Sequence, residues 1–120
     1  MYKIELVESS RPLNAKERIS IKDTSLATSF DQATMDGAEI VIIPAMWAIL
    51  AVHTDTKDYE KYIVVDQTGK KFVTGSTSFW SSFISIYDEM KEEPEDWAIR
   101  VYRIPSRNYP GKYFITCSVE

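Results

Sequence analysis

At 120 residues, with 44% hydrophobic and 27% charged, the chain has the length and balance of one globular domain able to bury a useful core without disulfides or metal. Its single cysteine, Cys117, excludes an internal disulfide and, lying in an alternating apolar run, reads as a buried, inert thiol of a reducing compartment. The formal net charge of −4 by itself argues against a nucleic-acid partner, but the charge is segregated. Residues 88–96 (DEMKEEPED) carry a net of −5, the remainder is +1, and from Trp97 to Val119 there are four bases and no acid.

In chain order, residues 1–16 are poorly patterned, Pro12 argues against a long element there, and the opening MYKIELVESS lacks the apolar core of a signal peptide. Arg18–Lys22 (RISIK) alternates and is expected as a short strand, and Leu26–Gly37 as loop. Ile40–Val52 (IVIIPAMWAILAV) is too short to span a bilayer. Its β-branched start predicts a strand with Pro44 at an edge or bulge, although Ala45–Ala51 also fits a buried helix turn. Lys61–Asp66 and Lys70–Thr74 flank Gln67-Thr68-Gly69 and predict a hairpin. Ser78 is expected to cap a helix whose stripe is Phe79, Phe83, Ile86 and Met90, with Pro94 beyond its end. Trp97–Ile104 and Lys112–Val119 alternate again across the turn-rich residues 105–111. The order predicts a mainly β domain with one helix. The specific expectation is a five-stranded OB-type barrel over residues 1–120, with the helix between strands 3 and 4 and residues 1–17 as an N-terminal extension.

Residue types for catalysis are scarce. His53 is the only histidine, Gly69, Gly75 and Gly111 form no phosphate-cradling loop, and no zinc set exists, so neither enzyme, metal nor cofactor is expected. A catalytic reading would require a deep pocket around His53 or the carboxylates. Binding is the better expectation. Strand alternation places Lys70 with Phe72, Arg100 with Tyr102, and Lys112 with Phe114, Thr116 and Ser118 on shared faces. It assigns Tyr113, Ile115, Cys117 and Val119 to core, along with Phe79, Phe83, Trp80 and Trp97. Single-stranded DNA takes this pairing, because exposed bases stack on aromatic rings while phosphates need cations. Lys57 and Tyr59 in one loop and Arg107 and Tyr109 in another extend the set. Tyr59, Phe72, Tyr102, Tyr109 and Phe114 are thus expected to stack, and Lys57, Lys61, Lys70, Arg100, Arg107 and Lys112 to neutralise phosphates.

From Ser29 onward, about three quarters of the chain, the sequence resembles small single-stranded-DNA-binding proteins of phages infecting Gram-positive bacteria. The resemblance lies in TSF…DGAEI at Thr28–Ile40, VVDQTGKKFVTGSTSF at Val64–Phe79 and WAIRVYRIPSRNYPGKYFITCSV at Trp97–Val119. It implies an OB-fold that coats displaced strands in phage replication or recombination, without sequence preference or chemistry, binding through a sheet face and loops. Arg107, Tyr109, Lys112 and Phe114 fall where the C-terminal hairpin matches that pattern. The expected partners are single-stranded DNA and replication proteins. The chain is expected in the cytoplasm, as monomer or homodimer, without a membrane. From another class, a protein-interaction module such as a phage inhibitor or assembly factor would use the same aromatics as hot spots.

Overall fold

The computed structural model describes residues 2–120. The chain forms two compact units, one comprising the chain up to Ser29 with Ala45–Gly75, the other Phe30–Pro44 with Ser76–Glu120.

In the first unit, β1 (Lys3–Ser9), α1 (Ala15–Lys22), β2 (Thr28–Ser29), β4 (Pro44–His53), β5 (Asp58–Asp66) and β6 (Lys71–Thr74) build a five-stranded sheet in the order β1-β4-β5-β6-β2. Strand β1 runs antiparallel to β4 with a bulge between Leu6 and Glu8, and β2 lies parallel to β6. One face buries Met46, Ala48, Leu50 and Ile63 with Ile21 of α1, packed by Ile4, Leu6, Leu13, Val65 and Val73. The N-terminal segment is thus a strand of this sheet and contributes to its core.

Arg18–Lys22 is helical, which corrects the strand expected there. Asn14 and Glu17 form a reciprocal capping box: Asn14 Oδ1 accepts from Glu17 N at 2.8 Å, and Glu17 Oε1 from Asn14 N at 3.1 Å. The alternation had put Ile19 and Ile21 on one face, yet Ile19 is 72% exposed while Ile21 is buried. At the other helix end, Lys71 Nζ donates to the carbonyls of Ser20 (2.7 Å) and Asp23 (2.8 Å), tying α1 to β6.

The β5–β6 hairpin forms where its turn residues predict it. Gly69 takes φ +90°, and Asp66 Oδ1 accepts from Thr68 N, Thr68 Oγ1 and Lys70 N at 2.9, 2.6 and 3.0 Å. Burial raises the Asp66 pKa, but these hydrogen bonds outweigh it and hold the carboxyl below its ordinary value.

The second unit contains α2 (Phe30–Ala33), a 3-10 turn (Met35–Gly37), β3 (Ile40–Ile42), α3 (Thr77–Met90), β7 (Ile99–Pro105) and β8 (Tyr113–Val119). The strands make an antiparallel sheet, β3-β7-β8. The segment expected as loop at Leu26–Gly37 therefore carries β2, α2 and the 3-10 turn. Pro44 falls at the break between β3 and β4, which belong to different sheets, and residues 45–51 are strand rather than helix.

Ser76, not Ser78, caps α3, its Oγ accepting from Phe79 N at 3.1 Å. Ser78 instead donates to the Ile115 carbonyl (2.9 Å), and Ser82, one turn on, meets Thr116 Oγ1 at 3.0 Å. These bonds tie α3 to β8, and the first satisfies a backbone carbonyl of that edge strand. Phe79 and Phe83 are fully buried and continue a run of ring contacts from Phe30 (4.8 Å to Phe79) to Tyr87 (5.8 Å from Phe83) and Trp97 (5.9 Å from Tyr87). Trp80 and Trp97, expected in the core, are half-buried.

The protein is mainly β, as its alternating runs predict. The single five-stranded barrel with one helix is replaced by eight strands in two sheets, and the five-stranded sheet ends at β1 and β2 without closing among the described residues. No helix among them is long and apolar enough to cross a membrane.

Candidate nucleic-acid interface

Residues directly opposed across antiparallel strands share a face. In the β3-β7-β8 sheet, the register puts Ile42 and Ile99, Ile40, Val101 and Cys117, and Arg103 and Ile115 on one side. Ile42, Ile99, Val101, Ile115 and Cys117 are buried there. The other side carries Val41, Arg100 and Ser118, then Tyr102 and Thr116, then Ile104 and Phe114. Val41 is 52% exposed and Phe114 36%, the rest are half-buried, and Thr116 is bonded to Ser82 of α3, so this side is open at Val41 and Phe114 and partly covered along β8. Tyr102 and Phe114 are diagonal neighbours on it. At the hairpin's end, the Ser106 N to Lys112 O bond (2.9 Å) and Lys112 N to Tyr109 O bond (3.0 Å) close a loop, and Gly111 at φ +81° makes its last corner. Arg107, Tyr109 and Lys112 stand exposed on it.

Of the basic residues placed by alternation beside an aromatic, Lys70 and Arg100 lie over its ring, and Lys57 of the loop pair does so too. The distances to the ring centroid are 5.1 Å for Lys57 on Tyr59, 5.3 Å for Lys70 on Phe72 and 4.8 Å for Arg100 on Tyr102. Accessibility separates the three. Phe72 is 4% exposed and pairs with buried Val64, so its ring belongs to the core; this corrects its assignment as a stacking residue. Tyr59 and Lys61 are half-buried, while Lys57 and Lys70 are exposed. The expected site thus divides: Lys57, Tyr59, Lys61, Lys70 and Phe72 belong to the first unit, and Arg100, Tyr102, Arg107, Tyr109, Lys112 and Phe114 to the second.

Two arginines of β7 are committed differently. Arg100 Nη1 lies 3.2 Å from Glu39 Oε1 and its Nε 3.8 Å from Glu120 Oε2, so its charge is shared with two carboxylates. Arg103 Nε donates to Thr34 Oγ1 at 3.0 Å and its Nη2 to the Asp31 carbonyl at 2.5 Å. Tyr113 and Val119, assigned to core by alternation, are 62% and 48% exposed, because β8 runs past the buried centre at both ends.

His53 Nδ1 lies 3.0 Å from Asp58 Oδ1 and its Nε2 3.8 Å from Glu5 Oε2, in a cluster at the surface. A cavity of about 190 Å³ in the first unit is walled by Leu13, Ile21, Met46 and Val65 with Arg11 and Lys71 at its polar side. One of about 480 Å³ in the second is lined by Asp36, Gly37, Arg103 and Tyr113. Neither includes His53 or the 88–96 carboxylates. Cys117 is buried, and desolvation pushes its thiol up to about 12. Among the described residues no group of three His, Cys, Asp or Glu side chains is placed to hold a metal ion.

Neither a protein-family model, nor a curated protein, nor a solved structure matches this chain.

Proposed function

We propose that the protein binds single-stranded DNA without sequence preference through the open face of the β3-β7-β8 sheet and the loop at its hairpin end. The observation that carries this is the placement of Tyr102 and Phe114 on one open face of a hairpin that holds Arg100, Arg107 and Lys112 and no acid between Trp97 and Val119. Bases stacking on such rings gain roughly 1–3 kcal/mol each and are accepted whatever their identity. The mode needs an open sheet face and does not depend on closure of an OB-type barrel. The resemblance to phage single-stranded-DNA-binding proteins supports DNA as the strand, phage-type replication or recombination as the setting and the host cytoplasm as the place, with replication proteins as further partners. Lys57 and Tyr59 of the first unit are a second pair of the same kind.

The test is fluorescence anisotropy with labelled oligothymidine and duplex DNA over a salt series. With the Arg100 charge already shared with Glu39 and Glu120, Arg107 and Lys112 predict a log–log slope of about −1.4, at roughly −0.7 per phosphate on a single strand. Phe114→Ala should weaken binding about 10-fold, from a lost stacking contact, with little change in melting temperature. Phe72→Ala should instead destabilise the fold by about 3–5 kcal/mol, as large-to-small core changes do. Absence of oligothymidine binding at low salt would overturn the proposal.

A second reading, a protein-interaction module, has its own supporting observation. Val41, Ile43 and Val119 are exposed apolar side chains, and Arg100 is already paired with carboxylates. Salt-insensitive capture of a protein, with no oligonucleotide binding, would select it.

A further inference from the structure

The 480 Å³ cavity of the second unit is walled by residues of unlike chemistry: a carboxylate (Asp36), a guanidinium (Arg103), a phenol (Tyr113) and bare backbone at Gly37. Tyr113 shares its side of the sheet with Arg103 and Ile115, opposite Tyr102 and Phe114, so the cavity is distinct from the open face.

Its walls are held in place. Thr34, fully buried, donates its hydroxyl to the Phe30 carbonyl at 2.8 Å and accepts from Arg103 Nε at 3.0 Å. With the bond to the Asp31 carbonyl, this fixes the guanidinium plane through two of its five N–H donors. Asp36 has φ +57° and ψ +32°, and Gly37 follows at φ +81°. A non-glycine residue held in left-handed backbone is a feature that clusters at ligand sites. A Cβ at Gly37 would meet nothing within 4 Å, so the backbone there faces open space.

We propose that this cavity takes one guanine base of a bound single strand. A carboxylate offers only acceptors, and its two oxygens match two adjacent N–H donors. Guanine presents such a pair, N1–H and N2–H, on its Watson–Crick edge; thymine presents a single N–H flanked by carbonyl oxygens that the carboxylate repels. Guanine O6 and N7 are the acceptors that an arginine fork favours. The exposed Tyr113 ring supplies the stacking surface. The inference rests on the strand-binding proposal for how the base arrives. It adds to otherwise sequence-tolerant binding a preference at one position.

The cavity is tested by itself with mononucleotides and NMR of the ¹⁵N-labelled protein. Millimolar dGMP should shift the Gly37 and Tyr113 amides, dTMP should not, and Asp36→Asn should abolish the response. Asparagine tolerates left-handed backbone as aspartate does, so that variant keeps the turn. In parallel, oligothymidine carrying one central guanine should bind about 5-fold or more tightly than pure oligothymidine, the discrimination expected of one bidentate pair. Asp36→Asn should bring that ratio to one. Equal responses to dGMP and dTMP, or none, overturn the guanine pocket even if oligothymidine binds. A dGMP response without any oligonucleotide binding supports the pocket and overturns the strand-binding proposal instead.

Discussion

Cys117 pairs with Val101 in the β7–β8 register on the buried side, where water is too scarce to solvate a thiolate. Its pKa, about 12 against an ordinary 9.0, makes stability depend on pH in one direction. Below 9 the thiol is protonated in both folded and unfolded chains. Between 9 and 12 the unfolded chain releases its proton while the folded one retains it, so stability falls as pH rises. Urea unfolding at about pH 8 and about pH 10.5 should therefore show a smaller loss for Cys117→Ala than for the parent. An identical loss in both would mean that the thiol reaches solvent. The buried thiol was legible in the sequence, because Cys117 alternates with Ile115 in an apolar run. Exposure was not legible for the aromatics. Alternation sorts Phe72, Phe114 and Tyr113 onto faces, but only packing decides which face is covered, and it buries Phe72 while leaving Tyr113 open.

Short-range chemistry was the better guide for elements. Gln67-Thr68-Gly69 predicts the β5–β6 turn, and Gly69 at φ +90° is the residue that permits it. Gly69→Ala should cost about 1–2 kcal/mol in chemical denaturation, the penalty of left-handed backbone for a residue with a Cβ. A Cβ there meets nothing within 4 Å, so the loss is conformational, and Gly69→Asn should recover part of it. Helix α1 shows where local reading misled. Five residues of alternation at Arg18–Lys22 resembled a strand, while the stronger signal was the Asn14/Glu17 capping box just upstream. Ser76 and Ser78 show the same limit: both are serines at a helix start, and only the nearby β8 edge explains why Ser78 is turned to the Ile115 carbonyl.

For the molecule as a whole, charge distribution matters more than net charge. Residues 88–96 carry −5, are almost all exposed, and belong to the same unit as the β7–β8 hairpin. Changing Glu89, Glu92 and Glu93 to Gln should tighten oligothymidine binding several-fold at low salt. The gain should vanish toward 1 M, where screening acts within about 3 Å. Unchanged affinity at low salt would show that the run is only a solvated helix end. The sequence by itself determined the β-rich class, both C-terminal hairpin strands, the β5–β6 turn and the amphipathic α3, since periodicity and turn chemistry act over a few residues. Tertiary structure alone decided that β1 joins a sheet, that eight strands divide between two sheets and that Arg103 bonds Thr34. It also gathered Asp36, Arg103 and Tyr113 around one cavity. Those outcomes depend on pairing between residues tens of positions apart, and one-dimensional periodicity carries no record of which partner covers which face.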